Sequence, residues 1–168
     1  MLGDGSHTRL KSNEIVNGLK QNDFTFIDQQ QVQDTDLVYG ELLGSLTSNE
    51  SVFEVHTYNV AFDTNQAGEM VSHAWQIDVA GDGSHTRIKN QEVTAGNPVA
   101  GKFTFIDQVE IPEPDAIYAE LLGSLSSNES VFEVYTYNVA FNTSQTGQMV
   151  SHAWQINVEG DGSHTRIK

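Results

Sequence analysis

Residues 71–89 read Val-Ser-His-Ala-Trp-Gln-Ile-Asp-Val-Ala-Gly-Asp-Gly-Ser-His-Thr-Arg-Ile-Lys. In the first half, Val71, His73, Trp75, Ile77 and Val79 fall on one face, and Ser72, Ala74, Gln76 and Asp78 on the other. That period of two is the mark of a strand with one buried side. Asp82-Gly83 then separates this run from the next, and Asp-Gly between alternating runs is a strong hairpin signal. The stretch predicts two neighbouring antiparallel strands.

The same residues recur. Gly-Asp-Gly-Ser-His-Thr-Arg stands at 3–9, 81–87 and 160–166. Tyr39–Val79 returns as Tyr118–Val158 at a constant offset of 79, with 33 identities over 41 positions. The chain reads as two tandem repeats, 3–80 and 81–159, folding as a single domain, with 160–168 a partial third copy of the repeat start.

Other segments also read as strand. Phe24–Asp28 is FTFID, Leu37–Leu46 is LVYGELLGSL and Ser51–Phe62 is SVFEVHTYNVAF, all rich in β-branched or aromatic residues. Turn clusters lie at Thr47–Ser51 and Asp63–Gly68. Only Leu10–Gly18 offers a short helix. The expected fold is all-β, an antiparallel barrel or sandwich of about 8–10 strands with pseudo-twofold symmetry. Gly40, Gly44 and Gly123 would mark bends where the barrel closes. In such a ring three copies of the first strand compete for two places. The surplus edge strand would then be available for self-association by strand exchange.

Composition excludes several classes. The formal charge is -15, from 23 acids and 8 bases, which argues against nucleic acid as a partner. There is no cysteine, so disulfides and thiolate metal sites are out. No apolar run approaches a membrane span, and no signal peptide is visible. The expectation is a soluble chain, either cytoplasmic or secreted with its signal removed.

Candidate site residues are the ionisable and aromatic groups on strand faces. His73 and His152 recur as Ser-His-Ala-Trp, and Glu41 and Glu120 interrupt apolar runs; these four are the proton-transfer candidates if the protein is an enzyme. Tyr39, Tyr118, Trp75, Trp154, Tyr58 and Tyr137 could line a pocket, together with His56 and its counterpart Tyr135. Glu54, Glu133, Asp28 and Asp107 are read as carboxylates on a solvent face. Between the repeats His56 becomes Tyr135, Asp63 becomes Asn142, Glu69 becomes Gln148 and Asp78 becomes Asn157, so any acid–base role at these positions belongs to the first repeat.

No cofactor or metal is expected. The weaker alternative is calcium at Asp78 and Asp82, which resemble the front half of an EF-hand loop although Lys89 occupies the place of its last carboxylate. The leading function is a non-catalytic binding domain for a small molecule or glycan inside the barrel. The alternatives are a small barrel enzyme of the lyase, cyclase or isomerase type, and a structural or adhesive repeat with no small-molecule site.

Overall fold

The computed structural model describes residues 5–59, 68–112, 115–138 and 148–168. Nine strands form one antiparallel sheet in simple sequence order. They are β1 (His7–Val16), β2 (Leu19–Gln31), β3 (Phe53–Tyr58), β4 (Met70–Asp78), β5 (His85–Thr94), β6 (Asn97–Ile111), β7 (Val131–Tyr137), β8 (Met149–Asn157) and β9 (Thr165–Ile167). Helix α1 (Leu37–Leu43) joins β2 to β3, and α2 (Ala116–Leu122) joins β6 to β7.

The sheet is open. β1 and β9 lie at opposite ends of the order, so neither the expected barrel nor a second sandwich layer forms among the described residues. The expected pseudo-twofold relation fails for a countable reason. Each repeat contributes four strands, an even number, so β1 and β5 run in the same direction along an alternating sheet. The repeats therefore follow one another by translation across the sheet. Their registers recur in step: His7 opposes Gln30 as His85 opposes Val109, and His56 opposes His73 as Tyr135 opposes His152. All three copies of Ser-His-Thr-Arg find a place in this line, so no strand is surplus.

Leu37–Leu46 is the main departure from the strand reading. Its first seven residues are helical. Asp36 caps the N-terminus by accepting from the Val38 amide at 3.1 Å, and Gly44, at φ 58°, ends the helix. Asp115 and Gly123 do the same for α2. Gly44 and Gly123 are thus helix caps and Gly40 lies within α1; none marks a barrel corner. Leu10–Gly18 departs in the other direction. It is mostly strand β1, closed by Asn17-Gly18 with φ 51° and 77°, a turn that needs left-handed backbone at both positions. The turn at Thr47–Ser51 joins a helix to a strand, while most of Asp63–Gly68 lies outside the described residues.

A seven-residue helix does not persist alone. Each is held by a small apolar cluster on one face of the sheet. Val38 and Leu42 pack with Val52 and Ile77, flanked by Trp75 and Val79. Leu121 packs with Ile111, Val131, Ile156 and Val158, flanked by Trp154. Beyond the helices the same face is covered by its own long side chains. The Lys89 ammonium lies 4.3 Å from the Phe103 ring centre and 5.5 Å from those of Phe105 and Trp75.

The hairpin between β4 and β5 forms as expected, but its loop is longer than two residues. Asp78 accepts from the Gly81 and Gly83 amides at 3.1 and 2.7 Å, and Asp82 from the Ser84 amide at 2.9 Å. These carboxylates close the turn, which is the work expected of a plain Asp-Gly connection rather than a calcium loop.

Candidate functional site

In the β3–β4 pair His56 lies opposite His73, and Glu54 opposite Trp75. Alternation along each strand puts all four on the helix-bearing face. Oε1 of Glu54 is 2.7 Å from Nε2 of His73 and 3.6 Å from Nε2 of His56. The imidazoles stack with centroids 4.4 Å apart and planes 16° apart, and Trp75 closes the far side of His73 at 4.1 Å. One ligand atom from each of Glu54, His56 and His73 can be drawn within 4.8 Å of the other two, so this His2Glu triad is capable of coordinating a metal ion. The expectation of no metal is corrected at this point.

The hydrogen-bond pattern sharpens the point. Gln91 on β5 donates from Nε2 to the Val99 carbonyl at 3.1 Å, which turns its Oε1 toward Nδ1 of His73 at 2.9 Å. An amide oxygen only accepts, so Nδ1 carries the hydrogen. Nε2 then faces a carboxylate oxygen of Glu54 at 2.7 Å, a hydrogen-bond distance. Either a proton shared by the two groups lies there, or a metal ion takes that proton's place. Gln91 would then be the outer-shell group that orients the ligand.

The electrostatics are mutually consistent. The hydrogen bond from His73 holds the Glu54 carboxyl below its usual range despite burial, with the charges of His56 and His73 adding to the effect. Burial, then the neighbouring His73, pushes His56 down. A neutral imidazole beside an ionised carboxylate is what a divalent cation requires.

The second repeat keeps the frame and changes the chemistry. His152 lies 2.8 Å from Glu133, and Tyr135 stacks on His152 at 4.4 Å. The Tyr135 hydroxyl donates to the same Glu133 oxygen at 2.7 Å. That bond, with burial second, raises the phenol to about 12. Where His56 offers a lone pair, Tyr135 offers a proton. The contrast between the repeats, legible in sequence, falls on the site itself.

No family model, curated protein or solved structure matches this chain. The repeat is a property of the residues themselves, with no matched family behind it.

The other expected site residues are placed elsewhere. Glu41 and Glu120 lie on the helices, ion-paired with Lys89 and Lys168 rather than with a histidine. Tyr39 and Tyr118 donate to the carbonyls of Glu50 and Glu129 at 2.9 and 2.7 Å, tying each helix to the turn after it. Tyr58 and Tyr137 stand opposite Phe26 and Phe105 in cross-strand pairs. Trp75 and Trp154 flank the helix clusters. Asp63 and Asn142 fall outside the described residues. The leading expectation, a non-catalytic small-molecule or glycan pocket inside a barrel, is overturned: among the described residues the sheet does not close into a barrel, and it carries this His/Glu group, capable of holding a metal ion, on one face.

Glu54 lies against His73 rather than on a solvent face, and Gln91 is a site residue that no local sequence pattern marks. Glu54-Val-His56 carried the signal for the first, since residues two apart on a strand share a face. Gln91 is 18 residues from His73 and meets it only through the β4–β5 register.

A second polar cluster adjoins the first. On β2, Asp28 opposes His56, and it binds His7 at 2.6 Å and Arg9 at 3.1 Å. Asp107 repeats this with His85 at 2.7 Å and Arg87 at 3.1 Å. Burial raises the Asp28 carboxyl, but the Arg9 and His7 hydrogen bonds and charges together bring it below its usual value. No helix among the described residues is long and apolar enough to cross a membrane.

Proposed function

We propose that the first repeat is a binding site for a divalent transition metal of the zinc class, held by Glu54, His56 and His73. The observation that carries this is the convergence of one ligand atom from each of Glu54, His56 and His73 within 4.8 Å of one another, with Gln91 holding the other nitrogen of His73. Two imidazoles and a carboxylate suit zinc and its neighbours better than calcium, which takes oxygen ligands. Donors about 2.0–2.2 Å from a tetrahedral ion lie about 3.3–3.6 Å apart, so the 3.6 Å edge between Glu54 and His56 already fits. The 2.7 Å edge to His73 must open by about 0.6 Å. Three protein ligands leave a fourth position for water, and a water so bound is available for Lewis-acid or hydrolytic chemistry. His73 by itself is a poorer proton-transfer group, because both its nitrogens are engaged.

Calorimetric titration of zinc into the metal-stripped full chain tests the reading. About one equivalent should bind with release of protons. His73→Ala should abolish binding and His56→Phe should weaken it, with circular dichroism unchanged. Absence of heat, together with no zinc retained on desalting, overturns the proposal.

A second reading is favoured by a different observation. The sheet has two open edges, β1 and β9, and exposed edges pair with other chains. This supports a structural repeat that self-associates through an edge strand.

A further inference from the structure

We propose that the sheet face opposite the helices docks on the same face of a second copy, joining two chains face to face. The inference is independent of the edge-strand reading and uses a different surface. Both helices pack on one side of the sheet, in the clusters flanked by Trp75 and Trp154. Neither covers the other side.

That other side carries one pattern through both repeats. Ile27 on β2, Val55 on β3, Ala74 on β4, Ile88 on β5, Ile106 on β6, Val134 on β7 and Ala153 on β8 form an apolar seam across it. Cross-strand pairs fix their common face: Val55 opposes Ala74, Ile88 opposes Ile106, and Val134 opposes Ala153. The pairs Gln29–Val55, Ala74–Asn90 and Gln108–Val134 join these sets to each other and to β2. Two residues before and two after each seam residue stands Thr, Ser, Gln, Asn or Phe. Three positions on each of seven strands make twenty-one in all, and none of them is charged.

The charges of the same segments all fall on the helix side, as Asp28, Glu54, Arg87, Lys89, Asp107 and Glu133. A solvated face of an antiparallel sheet ordinarily takes the charged and polar residues and leaves the apolar ones to the core. Here Val55, Ile88, Ile106 and Val134 are only half-buried. The nearest charges, Asp78, Glu110 and the Glu92–Lys102 pair, stand beyond the block at its ends.

Charge and area together name the occupant. The chain carries a formal charge of -15, so two copies repel wherever their acids meet. This face lets them approach without that repulsion, and it offers a cationic partner no carboxylate to pair with. What it fits is another flat, uncharged, half-apolar sheet, and the chain's own face is one. Three alternate positions span about 17 Å along a strand and seven strands about 34 Å across, or about 600 Å² per copy. About 1,200 Å² for the pair reaches the lower bound of specific, stable interfaces. Sheets stacked in this way lie about 10 Å apart with their side chains interdigitated. The contact uses the same patch on both copies, so it closes at two. It leaves Glu54, His56 and His73 on the outer side of each sheet.

Sedimentation velocity of the full chain, across a wide concentration range and at two salt concentrations, tests this. A monomer–dimer equilibrium is expected, and salt should strengthen it by screening the acids. Ile88→Lys places a charge in the seam, and Gln76→Glu places one opposite Ile88 without changing the side chain's shape. Each should weaken dimerisation by about tenfold or more, because the charge must lose its water. Circular dichroism checks the sheet, and zinc titration should be unchanged, which separates this contact from the metal site. A monomer under every condition overturns the inference and leaves the face to a different partner. Association that neither variant weakens, or that grows beyond two copies, overturns the face contact and points to an edge strand.

Discussion

Arg87 Nη1 donates to the Leu42 carbonyl at 3.0 Å across 45 residues of sequence. The same nitrogen reaches Leu43 at 2.9 Å, while the rest of the guanidinium grips Asp107. The first strand of one repeat therefore finishes the helix of the repeat before it. Two helices plus the strand that opens the chain make three copies of Ser-His-Thr-Arg.

The first prediction follows directly. Arg87 is 3% exposed, and Arg87→Ala would strand the Asp107 carboxylate and two helix carbonyls. The expected loss is about 3–5 kcal/mol of unfolding free energy in urea melts, the range for breaking a buried ion pair. Arg166→Ala, at a half-buried position, should cost clearly less. Equal losses at the two sites would refute the role assigned to burial.

The turn glycines report one effect, the left-handed backbone. Gly81 and Gly83 both have positive φ, 79° and 82°. A Cβ on Gly81 would also lie 2.7 Å from the Glu50 carboxylate, whereas one on Gly83 meets nothing within 4 Å. Gly83→Ala should cost about 1–2 kcal/mol, the left-handed backbone penalty. Gly81→Ala should cost about the same, because the Glu50 carboxylate is the end of an exposed, flexible side chain that can swing aside, and Glu50→Ala should change the Gly81→Ala cost little. A double-mutant cycle in thermal melts checks this.

Acid should weaken the sheet through Asp28. Its folded carboxyl lies below the ordinary value, so the folded state binds fewer protons than the unfolded one at mildly acidic pH. The stabilisation is present above the ordinary carboxylate value near 3.8 and disappears as pH falls through the lower folded value. Asp28→Asn should flatten this limb of the stability–pH curve. An unchanged slope in the variant would count against the His7–Asp28–Arg9 cluster.

Tyr135 contributes to the alkaline limb, together with Tyr58 and Tyr137, whose phenols burial also raises. Its phenol is raised to about 12, so folded protein keeps a proton that the unfolded chain loses near 10. Stability should fall as pH rises from about 10 through about 12. Tyrosinate absorbance should show the late phenol, and Glu133→Gln should return it toward 10.

Tyr135→His restores the lone pair that the second repeat lacks, beside Glu133 and His152. It should add a weaker zinc equivalent to the one at Glu54, His56 and His73. An unchanged stoichiometry in calorimetry would mean that Tyr135 is not what separates the two sites.

The residues alone determined the strands, because alternation reports which side chains share a face whatever the strand packs against. Val71–Val79 is β4 within a residue at either end, and FTFID lies wholly within β2. They determined the repeat and the contrast between His56 and Tyr135 as well. Leu37–Leu43 reads wrongly as strand, since a short apolar run carries no distinguishing period; Asp36 and Gly44, the capping residues, are the signal for the helix that forms. Tertiary structure alone decided that the sheet stays open. Closure depends on how strand order and twist accumulate across nine strands, which no local pattern encodes. It also decided that Glu54, and not Glu41, meets His73. Register sets which residues oppose each other, and the helix carries Glu41 off to Lys89.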